Sequence, residues 1–267
     1  MSQKSVMQGR LWSARAGDWA ETLEGPQGWG IPLYKLVLDR ADIGPGAAVL
    51  DVGCGAGRFV RMAADRGATV AGIDAAEAMV AIARERTPDG DFRLGDMEAL
   101  PWDAATFDTV TAFSALQFAT DTGKALGEAG RVTRKNGRIV VAVPGPPEDS
   151  EFTPFMMALQ PLMPPPPPGT ASRGDPFALS EPRKLEELLR HAGLTPREAG
   201  KVDCPMEFVD QETMLAGMLA AGPAVLAIQN VGEEEVRRAA IRSLAPFRSA
   251  AGGYRLENTF QYHVATT

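Results

Sequence analysis

Residues 49–57 of the chain read VLDVGCGAG, and this stretch decides the fold. An apolar run containing one acid is typical of a short buried strand, and glycines then alternate at positions 53, 55 and 57 before a helical pattern begins. Because glycine lacks a Cβ atom, the backbone can turn sharply there and a ligand can lie against it. The N-terminus of the following helix offers N–H groups to an anion. The stretch therefore predicts a strand, a ligand-binding loop and a helix.

Strand and helix patterns alternate through residues 46–143. Short apolar runs predict strands at residues 48–52, 69–73, 91–94, 108–113 and 138–143. Segments with helical apolar spacing predict helices at residues 58–66, 76–86 and 122–133, and Asn136-Gly137 predicts a turn before the fifth strand. This alternation implies parallel strands joined by right-handed crossovers.

Acidic residues stand at the ends of the first three strands. Asp51 ends the first, Asp74 ends the second, and Asp96 follows the third. Ligands of open α/β sheets bind outside the carboxyl ends of the strands, so we expect the three side chains to face one ligand. Asp51 can accept from an ammonium group, Asp74 from ribose hydroxyls and Asp96 from an adenine amino group. The helix N-terminus can bind a carboxylate of the ligand. A ligand with a carboxylate, an ammonium group, ribose hydroxyls and an adenine amino group matches S-adenosylmethionine (SAM).

The glycine spacing separates this loop from a dinucleotide-binding loop. The dinucleotide pattern is G-x-G-x-x-G, whereas the third glycine here is Gly57 and Arg58 stands in the expected position. A nicotinamide oxidoreductase is therefore a disfavoured alternative. A protein that binds SAM without transferring a methyl group, in a structural or regulatory role, is a second alternative.

Five stretches resemble successive motifs of the class I SAM-dependent methyltransferases, specifically the UbiE-like group of small-molecule enzymes. They read VLDVGCGAG, AGIDAAEAM, FRLGDMEALPW, TFDTVTAFSALQF and RVTRKNGRIVVAV. The resemblance implies a Rossmann-like α/β fold: a seven-stranded, mostly parallel sheet with an antiparallel last strand, plus a helical cap or lid. It also implies transfer of a methyl group from SAM to an O, N or C nucleophile of a small apolar or aromatic acceptor, with S-adenosylhomocysteine as product.

The same resemblance implies which residues hold the cofactor. The residues beside the methionine part would be Asp51, Gly53, Cys54 and Gly55, and those beside the ribose would be Asp74, Ala75 and Met79. The adenine would lie beside Asp96 and Met97, and the sulfur beside Ser114. No catalytic residue is assigned, because several relatives carry a histidine or another base where this chain has Leu116-Gln117-Phe118. Gln117 cannot act as a base, so we expect a mechanism that depends on alignment of the reactants.

The histidines and the loop cysteine are expected to have no catalytic role. His191 falls near a predicted helix end, where a favourable interaction with the helix dipole explains it. His263 falls on the polar side of the last strand and is expected to be solvent-exposed. Cys54 is expected to serve as a small residue of the glycine loop rather than as a nucleophile.

The segments outside the motifs predict a cap and the remainder of the sheet. Residues 1–45 are predicted as an N-terminal helical cap, 46–143 as the SAM-binding core, 144–179 as an insertion or lid, and 180–267 as a C-terminal part with substrate-side helices within 209–250. The proline run at 164–168 predicts a polyproline II stretch, and Ser180 predicts a helix N-cap with Pro182 in the first turn. Alternating residues at 202–208 and 254–264 predict one strand each, and helices are expected at 211–221 and 233–244.

The composition of the chain indicates which classes of partner and which location to expect. The formal net charge is −7 and the basic residues are scattered among acidic ones, which disfavours a nucleic-acid partner. The sequence contains no apolar run of membrane-spanning length and no signal-peptide core at its start, so a cytoplasmic location is expected. The two cysteines form no metal-ligand pattern, and no metal is expected. The sequence leaves the oligomeric state and the acceptor open.

Overall fold

The computed structural model describes residues 1–165, 176–181 and 183–267. In these ranges the strands are β1 Ala48–Val52, β2 Thr69–Asp74, β3 Asp91–Leu94, β4 Phe107–Phe113, β5 Thr133–Pro144, β6 Thr195–Asp203, β7 Met206–Phe208, β8 Tyr254–Leu256 and β9 Thr259–Thr266. The α-helices are α1 Gln3–Ser13, α2 Ala16–Glu21, α3 Ile31–Arg40, α4 Arg58–Asp65, α5 Glu77–Arg86, α6 Thr122–Val132, α7 Thr153–Leu159, α8 Lys184–His191, α9 Gln211–Ala220, α10 Gly222–Val231 and α11 Glu233–Leu244.

Seven strands form one sheet in the order β3-β2-β1-β4-β5-β9-β6. Strands β1 to β5 pair in parallel, and β9 runs antiparallel to both of its neighbours, β5 and β6. The order reverses at β1, where β2 lies on one side and β4 on the other, and ligands bind at such switch points. The predicted fold class, a Rossmann-like and mostly parallel sheet with an antiparallel last strand, is confirmed.

Helices cover both faces of this sheet because its central strands are apolar on both sides. Val49 of β1 packs in a cluster with residues of α3, α4 and α5. The neighbouring Leu50 and Val52 pack in the opposite cluster, which includes residues of α6 and α8. Asp51 is therefore an acid inside a strand whose neighbours are all buried, and its side chain is 3% exposed.

A second apolar core lies beside the carboxyl ends of the strands, and we call it the cap core. It combines residues of α7, α9, α10, α11 and the small β7–β8 sheet, including Phe155, Met214, Val236 and Leu256. Helices α1 and α2 connect this cap core to the sheet, since α1 contacts α5 and α10 while α2 contacts α5 and α9. The cap core and the sheet thus face each other across the strand ends.

Among the described residues, no single helix is long and apolar enough to cross a membrane. Helices α9 and α10 together reach that length and composition, but a 92° bend separates them. Their apolar residues, such as Met214, Leu215 and Val225, are buried in the protein.

Several predicted strand limits are wrong. Strand β5 begins at Thr133 rather than at residue 138, and Asn136-Gly137 lies inside it instead of preceding it. In the pairing with β4, Phe107 lies opposite Thr133, but the next pair is Thr109 with Arg138. The register therefore shifts, and the intervening residues of β5 bulge out of the ladder. Asn136 has a φ of 64°, which that bulge accommodates.

The strands predicted at 202–208 and 254–264 are each divided between two sheets. Strand β6 ends at Asp203, and β7 begins only at Met206 in the smaller sheet, where it pairs with β8. Pro205 has no N–H group and interrupts the ladder, while the Cys204 N–H donates to the Asn258 carbonyl at 2.7 Å. Asn258 occupies the matching break between β8 and β9.

Two helix predictions also change. Helix α10 was not anticipated, because its small apolar residues form no one-sided stripe, although Pro223 marks its first turn. Ser180 does not cap α8: its hydroxyl donates to the Pro144 carbonyl at 2.8 Å, and α8 begins at Lys184. Pro182 and residues 166–168 of the proline run lie outside the described residues.

The prediction that His263 is exposed is wrong. Its relative exposure is 5%, because β9 lies between β5 and β6 and is covered by α8. Burial lowers the pKa of His263. Both cysteines are free and buried in this structure.

Candidate functional site

A cavity opens at the carboxyl ends of β1 to β4, between the sheet and the cap core. All ten residues that the sequence predicted as cofactor contacts line it: Asp51, Gly53, Cys54, Gly55, Asp74, Ala75, Met79, Asp96, Met97 and Ser114. They come from four neighbouring strands, the loops that follow them and, for Met79, helix α5, which meet only in the folded chain. The structure therefore brings the whole predicted set together.

The glycine loop forms the floor of this cavity. Gly53, Gly55 and Gly57 all have positive φ angles, of 74°, 52° and 79°, which favour glycine over other residues. The N–H groups of Gly53 and Cys54 donate to the Ile73 carbonyl at 2.8 and 3.0 Å, which fixes the loop to the end of β2. The loop thus adopts backbone conformations that would be strained in residues with a Cβ atom.

Asp51 is the most deeply buried acid of the floor. The Thr111 hydroxyl on β4 donates to its Oδ1 at 2.7 Å. Burial raises the pKa of Asp51 to about 8, the Thr111 hydrogen bond opposes that shift, and the nearby Glu24 and Asp74 carboxylates add to it. A cation placed beside Asp51 would reverse this effect and stabilise the ionised form.

Asp74 orders the start of the next turn. Its Oδ2 accepts the Gly55 N–H at 2.9 Å and its Oδ1 accepts the Ala76 N–H at 2.8 Å. Burial raises the pKa of Asp74 in spite of these hydrogen bonds. Each oxygen keeps a second lone pair, so the carboxylate can also accept from ligand hydroxyls.

Asp96 lies where the N-terminal segment reaches the sheet. The Ser2 N–H donates to its Oδ2 at 2.9 Å, and the Glu98 N–H donates to its Oδ1 at 3.1 Å. Burial alone would raise the pKa of Asp96, but these hydrogen bonds leave it below the usual value. Asp96 is therefore already partly engaged by the chain itself.

Glu24 is a site residue that the sequence analysis missed. Its carboxylate lines the cavity and is 7% exposed, and Oε1 accepts from the Trp19 indole at 2.8 Å and from the Ala56 N–H at 3.2 Å. Its Oε2 accepts the Arg58 N–H at 3.3 Å and lies 3.5 Å from an Arg86 guanidinium nitrogen. Burial raises the pKa of Glu24, and these hydrogen bonds and Arg86 oppose the shift. A lone acid in the loop after α2 forms no pattern that would reveal this contact.

This contact corrects one expectation about the loop. The N-terminus of α4 was expected to offer free N–H groups to a ligand carboxylate, but the N–H groups of Ala56 and Arg58 are bonded to Glu24. A Cβ atom on Gly55 would lie 2.1 Å from Glu24 Oε1, so the side chain rests directly on the glycine loop. The floor of the cavity consequently presents three carboxylates, those of Glu24, Asp51 and Asp74.

Helix α1 closes one side of the cavity. A Cβ atom on Gly9 would lie 2.0 Å from the Ala75 carbonyl oxygen, so only glycine permits this approach of α1 to the end of β2. Trp12 packs edge to face against Trp19 and Phe118, with ring centroids 4.9 and 5.7 Å apart. Trp12 and Trp19 both line the cavity as well as packing against each other.

The side of the cavity that faces the cap core is apolar. Its lining includes Trp29, Phe152, Phe155, Met206 and Met218. The ring of Trp29 packs against Phe260 of β9 with centroids 4.7 Å apart, which joins the sheet to this wall. Met206, Met214 and Met218 are all buried, and Met206 and Met218 also line the cavity.

Two polar side chains after β4 face the cavity without a partner. Ser114 has a φ of 48°, and neither its hydroxyl oxygen nor the Gln117 Oε1 has a hydrogen-bond partner in the described structure, although both atoms are buried. Gln117 as a whole is 7% exposed. Neither His191 nor His263 is among the described residues that line the cavity.

Comparison with known proteins agrees with this geometry. Residues 50–141 match a family model described as a methyltransferase domain. Residues 50–141 form a methyltransferase domain. A demethylmenaquinone methyltransferase of Renibacterium salmoninarum is 40% identical to it over 108 residues, which are 40% of this chain and 46% of that protein. The chain thus spans less than half of the length of that relative.

Solved structures share the fold over most of the chain. The YcgJ protein of Bacillus subtilis superposes with a TM-score of 0.59 at 19% identity, over 88% of this chain and 97% of that one. The [4+2]-cyclase SpnF superposes with a TM-score of 0.55 at 21% identity, over 88% and 80%. At these identities the likeness concerns the fold alone.

The cavity fits SAM, the cofactor of this domain family. SAM carries a positively charged sulfonium and ammonium, and the carboxylates of Glu24, Asp51 and Asp74 have raised pKa values that a cation would lower. Among the described lining residues there is no lysine, arginine or histidine to compete for them. The methyltransferase domain therefore has a binding floor of the charge that this cofactor requires.

Proposed function

We propose that this protein is a SAM-dependent methyltransferase whose acceptor is a small apolar or aromatic molecule with an oxygen, nitrogen or carbon nucleophile. The observation that carries the proposal is the convergence of the buried carboxylates of Asp51 and Glu24 and the half-buried carboxylate of Asp74 on a cavity whose opposite wall is apolar. The side with the carboxylates would bind the cationic cofactor, and the apolar wall would contact the acceptor.

In this proposal the floor residues divide the cofactor between them. Asp51 and Glu24 would hold the ammonium, with Gly53, Cys54 and Gly55 along the methionine part. Asp74, Ala75 and Met79 would hold the ribose, and Asp96 and Met97 the adenine. Ser114 would lie near the sulfur. These assignments are supported by the position of every one of these residues in the cavity wall.

The protein would act mainly by alignment. SAM supplies a methyl group on a positively charged sulfur, which is already electrophilic. The aromatic wall formed by Trp12, Trp19 and Trp29 would exclude water and orient the acceptor. Holding two reactants in line can contribute roughly 7–11 kcal/mol to lowering the barrier. Gln117 cannot accept a proton, so an acceptor that ionises readily, such as a phenol or an enol, suits this site best.

Two measurements test the proposal. Isothermal titration should show SAM binding and no binding of NAD, which would also dispose of the nicotinamide alternative. Incubation with SAM and a panel of phenols, quinols and amines should yield S-adenosylhomocysteine, measured by mass spectrometry, only with a suitable acceptor. Failure to bind SAM at millimolar concentration would overturn the proposal.

A SAM-binding protein without methyl transfer is the second candidate. It is favoured by the position of both histidines outside the described cavity wall and by the occurrence of this fold in a protein named as a cyclase. Binding of SAM without formation of S-adenosylhomocysteine across the whole panel would favour this candidate over the first.

A further inference from the structure

Gln117 contains one of the two buried polar atoms directly after β4 for which the described structure shows no partner. Gln117 lines the cavity, and its Oε1 atom is buried and accepts no hydrogen bond within the described structure. An unpaired buried carbonyl oxygen is costly, so it calls for an explanation, and a ligand that supplies the missing donor is one. Gln117 lies in the turn directly after β4, three residues beyond Ser114.

The partner that Gln117 lacks must be a donor. A glutamine Oε1 atom can only accept, so the group that completes it carries an O–H or N–H. The position of Gln117 beside Phe118 and Ala119, on the side of the cavity that Trp12 closes, places that group among apolar surroundings. In such surroundings a single hydrogen bond discriminates strongly between ligands that have a donor and those that lack one.

The charges around the cavity restrict the ligand further. Five acids, namely Glu24, Asp51, Asp74, Asp96 and Glu98, line the described wall, and no lysine, arginine or histidine does. An anionic ligand would be repelled by these acids and would meet no cation among the described wall residues. A neutral ligand avoids both penalties.

We infer that the acceptor is an uncharged apolar molecule that donates one hydrogen bond, from a hydroxyl or an N–H group, to Gln117 Oε1. The inference rests on the proposed function, because it takes the apolar half of the cavity as the acceptor site. Phenols, enols and neutral hydroxylated ring systems belong to this class, whereas phosphorylated and carboxylated acceptors do not.

Three naphthalene probes of similar size test the inference in the complex with S-adenosylhomocysteine. They are 2-naphthol, which has a donor; 2-methoxynaphthalene, which lacks one; and 2-naphthoate, which is anionic. Titration monitored by tryptophan fluorescence should show that 2-naphthol binds roughly tenfold more tightly than the methoxy compound. This ratio is what one neutral hydrogen bond typically contributes to affinity. Naphthoate should bind more weakly than both.

The variant Gln117→Met removes the acceptor at nearly constant volume. The preference for 2-naphthol should then disappear, while the affinity for S-adenosylhomocysteine should stay within twofold. The Tm of the ligand-free variant should rise, since an unpaired buried oxygen has been removed, whereas a purely structural Gln117 would give a lower Tm. Gln160→Met, at an exposed glutamine, is the matched control and should change none of these quantities.

Several outcomes would overturn the inference. They are equal affinities of the wild type for 2-naphthol and 2-methoxynaphthalene, tighter binding of naphthoate, a preference that persists in Gln117→Met, or no binding of 2-naphthol at millimolar concentration. Each would leave the proposed function standing as long as S-adenosylhomocysteine binds. Failure of the wild type to bind S-adenosylhomocysteine or SAM would instead contradict the proposed function itself.

Discussion

The carboxylate of Glu24 caps the glycine loop by accepting the Ala56 N–H at 3.2 Å, across 32 residues of sequence. The same side chain accepts from the Trp19 indole and pairs with Arg86. Because it is buried and faces the cavity floor, Glu24 both fixes the loop and adds negative charge beside Asp51. These two roles can be separated by substitution.

Glu24→Gln should reduce the affinity for SAM while preserving the fold. The amide oxygen can still accept from Ala56, but the negative charge is lost, so a cationic ligand should bind roughly tenfold more weakly. Glu24→Ala should in addition destabilise the protein by about 1–3 kcal/mol, because the N–H groups of Ala56 and Arg58 would lose their partner. Isothermal titration and thermal unfolding measure the two effects. Glu21→Gln, at an exposed acid on the preceding helix, is the control, and an equal loss of affinity there would contradict the prediction.

The affinity for SAM should depend on pH through Asp51. Burial raises the pKa of this acid to about 8, so below that pH the ligand-free protein holds it largely protonated. A cation favours the ionised form, and binding must then release a proton. We expect affinity to rise as pH increases toward 8, and Asp51→Asn to bind weakly with a flatter pH profile. Titration at several pH values checks this; a wild-type affinity that does not change with pH would contradict it.

The stability of the ligand-free protein should show the opposite pH trend. The folded-state pKa of Asp51 lies above the ordinary value of 3.8, so between 3.8 and about 8 the folded state binds more protons than the unfolded state. The free energy of unfolding should therefore fall as pH rises through this range and level off above it. Asp51→Asn should flatten the curve, and saturating SAM should restore stability at the alkaline end. Chemical denaturation at a series of pH values, with and without SAM, measures both.

Asp74 offers a test of the ribose assignment, provided that the substitution keeps a hydrogen-bond acceptor. Its two oxygens accept the N–H groups of Gly55 and Ala76, so Asp74→Ala would disturb the loop as well as the ligand contact. Asp74→Asn keeps one of these two acceptors and places a donor in the other position, so it should lower SAM affinity by roughly tenfold or more and lower the Tm by less than Asp74→Ala. Asp89→Asn, at an exposed turn, should leave affinity unchanged. Normal SAM binding by Asp74→Asn would remove Asp74 from the proposed site.

The parts of the site that follow local rules were predictable, and the parts made by distant contacts were not. The glycine loop and the acids at 51, 74 and 96 follow strands that apolar runs reveal, and parallel pairing then brings the strand ends together. Glu24 meets the loop only because α2 folds back over it, and no periodicity encodes that contact. His263 alternates with apolar residues on the polar side of the last strand, which suggests an exposed face, yet α8 contacts this strand and His263 is 5% exposed. In both cases tertiary packing, rather than local pattern, decided the environment.

Gly9 should be required for closure of α1 over the cavity. The Ala75 carbonyl oxygen lies 2.0 Å from where a Cβ atom on Gly9 would stand, so Gly9→Ala must push α1 away from the end of β2. Because Ser2 and Trp12 on the same segment contact Asp96 and Phe118, that displacement should open the cavity. We expect at least a tenfold loss of SAM affinity and faster proteolysis within residues 1–13.

Gly17 provides the matched control for this substitution. It lies in α2, and a Cβ atom there would meet nothing within 4 Å. Gly17→Ala should therefore keep SAM affinity and raise stability by up to about 1 kcal/mol, the usual gain when alanine replaces glycine inside a helix. Titration, limited proteolysis and thermal unfolding of the two variants together separate a steric effect at α1 from a general effect of added methyl groups. Equal behaviour of both variants would show that the contact between Gly9 and Ala75 does not control access to the site.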